Sequence, residues 1–222
     1  MIDTQAIYLS LQLAACTLLI ILPIGIWLAH HLVSAGKWKP WLEAILALPL
    51  VLPPTVLGYY LLVGFSGKTL FGEPLVFSFL GILIASLIVN LPFAIQPIQR
   101  AFEAIPPTLQ EAAQVCGLKP WQIFYHINLP LAWRGVLSAA VLTFAHTLGE
   151  FGVILMIGGA IPGKTKTASI AIYDQVQSFN TQGAGMLSLL LLGISLCAIA
   201  ISYGFFGSSS NRIARQRWAA NA

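Results

Sequence analysis

The sequence is poor in charge. Lysine and arginine number 11 and aspartate and glutamate 7 in 222 residues, so 8% of positions are charged, against roughly 25% in an ordinary soluble domain. With 58% hydrophobic residues, the chain cannot cover a water-facing surface, and a soluble globular domain is excluded. Cysteine is also scarce. Cys16, Cys116 and Cys197 are odd in number, two in apolar runs and one in a loop, which indicates neither a disulfide framework nor a metal cluster. There is no low-complexity run and no internal repeat at a fixed period, which disfavours a carrier built from two inverted halves in one chain. A pore then calls for a second copy or a partner. The start, Met1-Ile2-Asp3, lacks the basic flank of a secretory signal, so the first apolar run is read as a retained helix.

What is present is a set of uncharged runs near the length that crosses a hydrocarbon core, about 20 residues. Five qualify: Leu9 to Ala29, Ala44 to Phe65, Leu75 to Ile98, Gly135 to Gly158 and Ala184 to Phe206. The expected fold is all-α, one polytopic membrane domain over residues 1–222 with five transmembrane helices and no room for an ATPase domain. With the N-terminus outside, Lys37, Lys39, Arg100, Lys119, Arg134, Arg212, Arg215 and Arg217 fall in the cytoplasm, and only Lys68, Lys164 and Lys166 stay outside. That asymmetry obeys the positive-inside rule. The net charge of +4 follows from these flanks; it implies anionic lipid rather than nucleic acid.

Prolines crowd the first three runs: Pro23, Pro49, Pro53, Pro54, Pro92 and Pro97. Each removes a backbone donor and clashes with the preceding turn, so kinks are expected. In lipid the freed carbonyls need neighbouring helices or a water-filled path. Residues 48–55, with Pro53, Pro54 and Thr55, are therefore a candidate pathway lining, to which Asn90 in the third run is added.

The loop between the third and fourth runs, residues 99–134, alternates helix signals with stops. Thr108-Leu109-Gln110-Glu111 reads as a capping box that starts a short helix. Leu109, Ala112, Ala113 and Cys116 share one stripe, and Gly117 suits a left-handed helix end. Pro120 fits the first position of a second short helix carrying Trp121, Phe124 and Tyr125, which Pro130 is expected to stop. Small alanines on one helix and aromatics on the next make a docking knob.

Glu111-Ala112-Ala113, then Gly117, then Leu129-Pro130 resembles the EAA loop of permeases in binding-protein-dependent ATP-binding-cassette importers. Cys116 and Leu118 stand where that family often has aspartate and a small residue, so the finer contacts differ. The resemblance implies that this loop couples a cytoplasmic ATPase to the membrane helices. Thr167-Ala168-Ser169-Ile170-Ala171-Ile172-Tyr173 and Gly149-Glu150-Phe151-Gly152 look like segments of molybdate permeases, the second also like sulfate permeases. Many relatives have an extra helix before the first one found here; the five-span form with its N-terminus outside is like the shorter members. The resemblance further implies a bacterial inner-membrane location, a homodimer, two ATPase subunits and an extracytoplasmic molybdate-binding protein. It implies no cofactor on this chain, ATP and magnesium being held by the partner ATPase. Tungstate and sulfate remain rival substrates, since all three anions are doubly charged tetrahedra.

One motif misleads. Gly158 to Thr165 satisfies G-x-x-x-x-G-K-[ST], yet a phosphate loop joins a buried strand to a helix, and here an apolar membrane run precedes it on the outer side. Lys164, Thr165, Lys166, Thr167 and Ser169 are instead read as an outer loop that attracts an anion. Glu150 is the one acid inside a predicted span. A carboxylate beside a dianion's path would repel it, so Glu150 is expected to act in the gate through hydrogen bonds, with His146 one turn away and Gly149 and Gly152 permitting close backbone approach. An intramembrane hydrolase would need more than this one-helix pair, and a free-standing channel would not need the docking loop.

Overall fold

The computed structural model describes residues 3–67, 69–70 and 73–220, with the side chains of 69, 70, 73 and 201–220 excepted. Lys68 and the side chains of Arg212, Arg215 and Arg217, used above for orientation, lie outside that description. Helix α1 spans Thr4–Val33, α2 Lys39–Val51, α3 Pro54–Phe65 and α4 Phe79–Glu103, with a pair of two-residue strands, Thr69–Leu70 and Glu73–Pro74, between α3 and α4. Then come α5 Pro107–Val115, α6 Pro120–Ile123, a π-turn Phe124–Asn128, α7 Leu129–Gly149, α8 Gly152–Gly158, α9 Ala168–Gln177 and α10 Thr181–Ala220. Four of these helical stretches are long and apolar enough to cross a membrane, and five if the bent pair α2–α3 is one span.

Two expected spans are broken rather than continuous. The second bends by 103° between α2 and α3. Pro53 and Pro54 supply no backbone N–H, and the residue before a proline is pushed out of the helical region; Leu52 and Pro53 are accordingly extended, with ψ of 137° and 136°. The fourth begins earlier than expected, since α6, the π-turn and α7 run on as one stretch from Pro120 to Gly149. It ends at Glu150, whose ψ of 125° leaves the helix. Glu150 therefore sits in a break before α8, not inside a helix.

Helix α4 is the hub, with α1, α2, α7 and α8 packed on it. Without a hydrophobic drive between helices in lipid, close backbone approach at small residues does the work. A Cβ on Gly135 of α7 would lie 2.4 Å from the Ala101 Cβ and 2.7 Å from the Pro97 carbonyl oxygen on α4. One turn or two earlier on α4, a Cβ on Gly25 of α1 would lie 3.3 Å from the Ala94 Cβ. Around these contacts one buried cluster gathers Ala29, Ile95, Ile98, Phe102 and Ala132, and a second, toward the opposite end, gathers Leu13, Ile82, Ile154, Ile157 and Ile170.

Candidate functional site

The α2–α3 bend and the α7–α8 break meet. Pro54 and Gly152 touch so closely that a Cβ on Gly152 would lie 2.9 Å from the Pro54 Cβ, and one on Gly58 3.0 Å from Met156. The meeting point encloses a cavity of about 470 Å³ lined by residues of α2, α3, α4 and the break, among them Pro54, Thr55, Phe93, His146, Gly149 and Glu150. The pathway candidates Pro54, Thr55, His146, Gly149, Glu150 and Gly152 thus share one space, while Asn90 is not among its lining residues. Pro53 lies at the bend itself.

A chain of buried polar groups runs to this cavity across three helices. The Thr17 hydroxyl of α1 donates to Ser86 Oγ at 3.1 Å. Asn90 Nδ2 donates to the Ser86 carbonyl at 2.8 Å and to its hydroxyl at 3.2 Å. Asn90 Oδ1 accepts from His146 Nδ1 at 3.1 Å, which fixes the ring with its proton on Nδ1. The ring also stacks on Phe93 at 4.1 Å. Thr17, Ser86 and Asn90 are fully buried, where an unpaired polar group would cost about 1–3 kcal/mol. Ser86, Thr17 and Phe93 were not anticipated. A polar spacing of four on α4, Ser86 to Asn90, was the available signal.

Glu150 differs from expectation. Its side chain is 7% exposed, and neither carboxylate oxygen has a hydrogen-bond partner among the described residues. His146 is given to Asn90 instead. What pins the break is the Glu150 backbone, whose carbonyl accepts from Ser169 Oγ at 2.7 Å. Thr167 and Ser169 hydroxyls lie 3.0 Å apart. With the Ser169 proton committed to Glu150, Thr167 must be the donor.

The outer loop is likewise tied to the protein. Thr165 is fully buried; its hydroxyl donates to the Gly158 carbonyl at 2.5 Å and accepts from the Ile161 amide at 3.0 Å. The amides of Lys164, Thr165 and Lys166 all turn onto the Ile161 carbonyl. These groups close a compact turn at the end of α8, the opposite of a phosphate loop's open amides. Lys166 pairs with Asp174 at 2.8 Å and lies 3.9 Å from Asp3. The Ala168 amide donates to Ser10 of α1 at 2.7 Å. Of the five loop residues, Lys164 is the one left exposed.

At the opposite end, α5 stands clear of the bundle. Glu111 and Ala112 are exposed, Ala113 is buried, and Leu109 and Val115 present apolar surface, Val115 at 88% exposure. The helix starts differently from the expected capping box. Pro107 is its first residue and Pro106 the cap, so Thr108 is already helical and no side chain caps the end. The prolines, which need no N–H partner, replace the box. A side chain does return to a cap one helix later, where Gln122 Oε1 accepts from the Lys119 amide at 2.8 Å. Gly117 takes φ of +80°. Its amide donates to Gln114 O at 2.9 Å and that of Leu118 to Ala113 O at 3.1 Å, a Schellman end. Pro130 does not stop the second helix, because the ladder shifts register before it. Leu129 donates five residues back to Phe124, and this π-turn absorbs the donor that Pro130 lacks. Leu129 and Pro130 therefore join α6 to α7 without a break.

A polar clasp near the same end was also missed by the sequence. Lys39 Nζ lies 2.6 Å from Glu103, Arg100 2.9 Å from Glu103, and the Gln99 amide bridges Glu43 and Glu103 at 2.5 and 2.9 Å. It fastens α2 to α4. Gln99, Arg100 and Glu103 recur at helical spacing, but Glu43 and Lys39 come from another helix that spacing cannot reach.

The fold of α4–α5–α7 with a clear-standing helix between two spans is that of an importer permease. Solved structures share it: the chain aligns with a subunit of the inward-facing MetNI methionine ABC transporter at a TM-score of 0.77 and 17% identity, covering 93% of this chain and 95% of that one. A bacterial alginate ABC transporter chain, in complex with its alginate pentasaccharide-bound periplasmic protein, aligns at 0.75 and 19%, covering 90% and 76%.

Residues 21–213 match the family of binding-protein-dependent transport system inner membrane components, and the chain belongs to that family. It is similar to the molybdenum transport system permease protein ModB of Azotobacter vinelandii, 43% identical over 84% of this chain and 86% of that one, and to ModB of Escherichia coli strain K12, 36% identical over 96% and 97%. The sulfate transport system permease protein CysT of the same strain is 32% identical over 70% of this chain and 58% of its own.

Proposed function

We propose that this chain is the permease subunit of an ATP-driven molybdate importer, a homodimer served by two copies of a separate ATPase and by an extracytoplasmic binding protein, with hydrolysis confined to the ATPase. The observation that carries the coupling role is α5, a helix outside the bundle whose small and apolar side chains Leu109, Ala112 and Val115 face outward beside Glu111. The likeness to ModB proteins at 36–43% identity, over 84% and 96% of this chain, supports molybdate over sulfate, whose CysT relative aligns over a smaller part of both chains. The exposed apolar face of α2 and α3, with Leu48, Val51, Tyr59, Tyr60 and Val63, supports a second copy along the pathway. The inner membrane is the expected location, with the N-terminus outside and the C-terminus cytoplasmic.

The geometry supplies a route for coupling. Helix α5 continues into α4 through Ile105 and Pro106 and into α7 through α6 and the π-turn. Closure of the ATPase pair would push on α5 and reach the two helices that hold Asn90 and His146, and α7 ends at the Glu150 break against the α2–α3 bend. Two arrangements of that contact would be the two-state element that ATP and substrate both bias. Lys164 would attract the anion at the outer mouth, with the gate closing below it. The test is reconstitution with the cognate ATPase and binding protein in proteoliposomes: ATP hydrolysis should rise with molybdate-loaded binding protein. Hydrolysis indifferent to it, or anion flux without any ATPase, would point to a channel instead.

A further inference from the structure

A second cavity lies far from the gate, between the inner ends of α1 and α7. Its volume is about 520 Å³, and Pro23, Ile26, Trp27, Phe124, Tyr125 and Leu129 form its walls, with His30, His31 and Trp121 at the rim. The π-turn before Pro130 places Phe124 against α1, its ring 4.8 Å from that of His30. Trp27, Trp121 and Tyr125 remain 59%, 57% and 60% exposed. Toward the other end of α1 the bundle is closed, since Ala6 packs with Leu187 of α10 and Ala171 of α9. The opening is thus flanked by two membrane-spanning helices and edged with aromatic side chains of the kind that sit at headgroup level.

Charge indicates the occupant. Lys39 and Arg100 at this end are paired with Glu103, but Lys37, Lys119 and Arg134 have no carboxylate partner among the described residues. Lys119 directly precedes Pro120 and Trp121 of the rim. His31 Nδ1 donates to the Trp27 carbonyl at 2.8 Å, and His31 is exposed, which leaves Nε2 as an acceptor for a headgroup hydroxyl. Basic pockets between membrane helices at the inner surface suit anionic headgroups. We propose that this groove binds an anionic phospholipid, one acyl chain lying along Ile26, Trp27 and Leu129, the phosphate meeting Lys119 and a headgroup hydroxyl donating to His31 Nε2. The site rests on the membrane placement of the chain and not on which anion it transports, so its failure would leave the importer reading untouched.

The test is fluorescence quenching of the full-length chain in mixed micelles, with Trp27 and Trp121 kept and the other tryptophans replaced by phenylalanine. Brominated phosphatidylglycerol should quench at several-fold lower mole fraction than brominated phosphatidylcholine, and His31→Gln with Lys119→Gln should bring the two lipids together. Millimolar inorganic phosphate should not restore fluorescence. Native mass spectrometry of the chain with all its tryptophans gives an independent reading: retained phosphatidylglycerol that the double variant loses. Equal quenching by both lipids, a preference unchanged in the double variant, or no retained anionic lipid would overturn the assignment.

Discussion

Replacing Gly117 by valine isolates the contribution of one backbone angle to coupling. The residue holds φ at +80°, and a Cβ built there would meet nothing within 4 Å. Steric collision is therefore absent, and the cost is conformational. An ordinary L-residue in the left-handed region loses about 1–2 kcal/mol, and a β-branched one more. If α5 instead relaxes, it gives up the Gly117 to Gln114 and Leu118 to Ala113 bonds, each worth about 1 kcal/mol net. Either way the α5 end is destabilised by about 2 kcal/mol, enough to lower the docking-competent population by more than tenfold wherever the alternative is close in energy. Membrane insertion should be unaffected, because Gly117 lies outside the spans. Binding-protein-stimulated ATP hydrolysis and uptake should fall together in Gly117→Val, while Gly117→Asn, which tolerates the same angle, should keep most of both. Full uptake by the valine variant would show that α5 is only a connector. An asparagine variant as inactive as the valine one would show that something other than backbone geometry requires glycine.

Other substitutions probe the gate and the outer loop. Glu150→Gln keeps the shape of a side chain whose carboxylate has no hydrogen-bond partner among the described residues and should retain ATP-driven uptake, whereas Glu150→Ala, which enlarges the cavity, should lose uptake or its coupling to hydrolysis; a glutamine variant as inactive as alanine in an assembled complex would mean that the charge itself is required. Gly152→Leu drives a side chain into Pro54, an overpacking cost of about 1–3 kcal/mol, and should trap the gate, read as ATP hydrolysis that no longer responds to loaded binding protein; a normal response would refute that contact as the moving element. Thr165→Val removes the two side-chain hydrogen bonds of the turn after α8 and should lower the melting temperature of the purified protein, while Lys164→Gln should leave it unchanged and slow uptake mainly at low salt. Cysteines placed at Lys164 and Glu111 in a cysteine-free background should label oppositely with an impermeant reagent in intact cells, Lys164 outside and Glu111 protected; labelling of Glu111 would invert the topology.

Much of the membrane architecture was readable because lipid leaves few options: an uncharged run of sufficient length must be a helix. The breaks were harder. Pro53-Pro54 announced a kink, but its 103° turn depends on Leu52 and Pro53 both becoming extended. The α7 end at Glu150 has no proline to mark it; tertiary contact with Pro54 and the Ser169 bond to the Glu150 carbonyl hold it there. Gly117 was legible because a left-handed helix end strongly favours glycine. The capping box at Thr108 was not formed because Pro106 and Pro107 start the helix earlier. Pro130 misled because a local rule for α-helices ignores the π-turn that accommodates it. The Thr17–Ser86, Asn90–His146 and Lys39–Glu103 bonds join residues 56 to 69 positions apart, distances at which sequence periodicity carries no information.

The central claim is that this chain passes molybdate under the control of a separate ATPase. Proteoliposomes containing the chain with its ATPase, loaded inside with ATP and supplied outside with binding protein and labelled molybdate, measure it directly. Uptake should require ATP and the ATPase, vanish with the Gly117→Val chain, and resist excess sulfate. Uptake without ATP would contradict the coupling assignment, and label displaced by sulfate as readily as by molybdate would contradict the substrate.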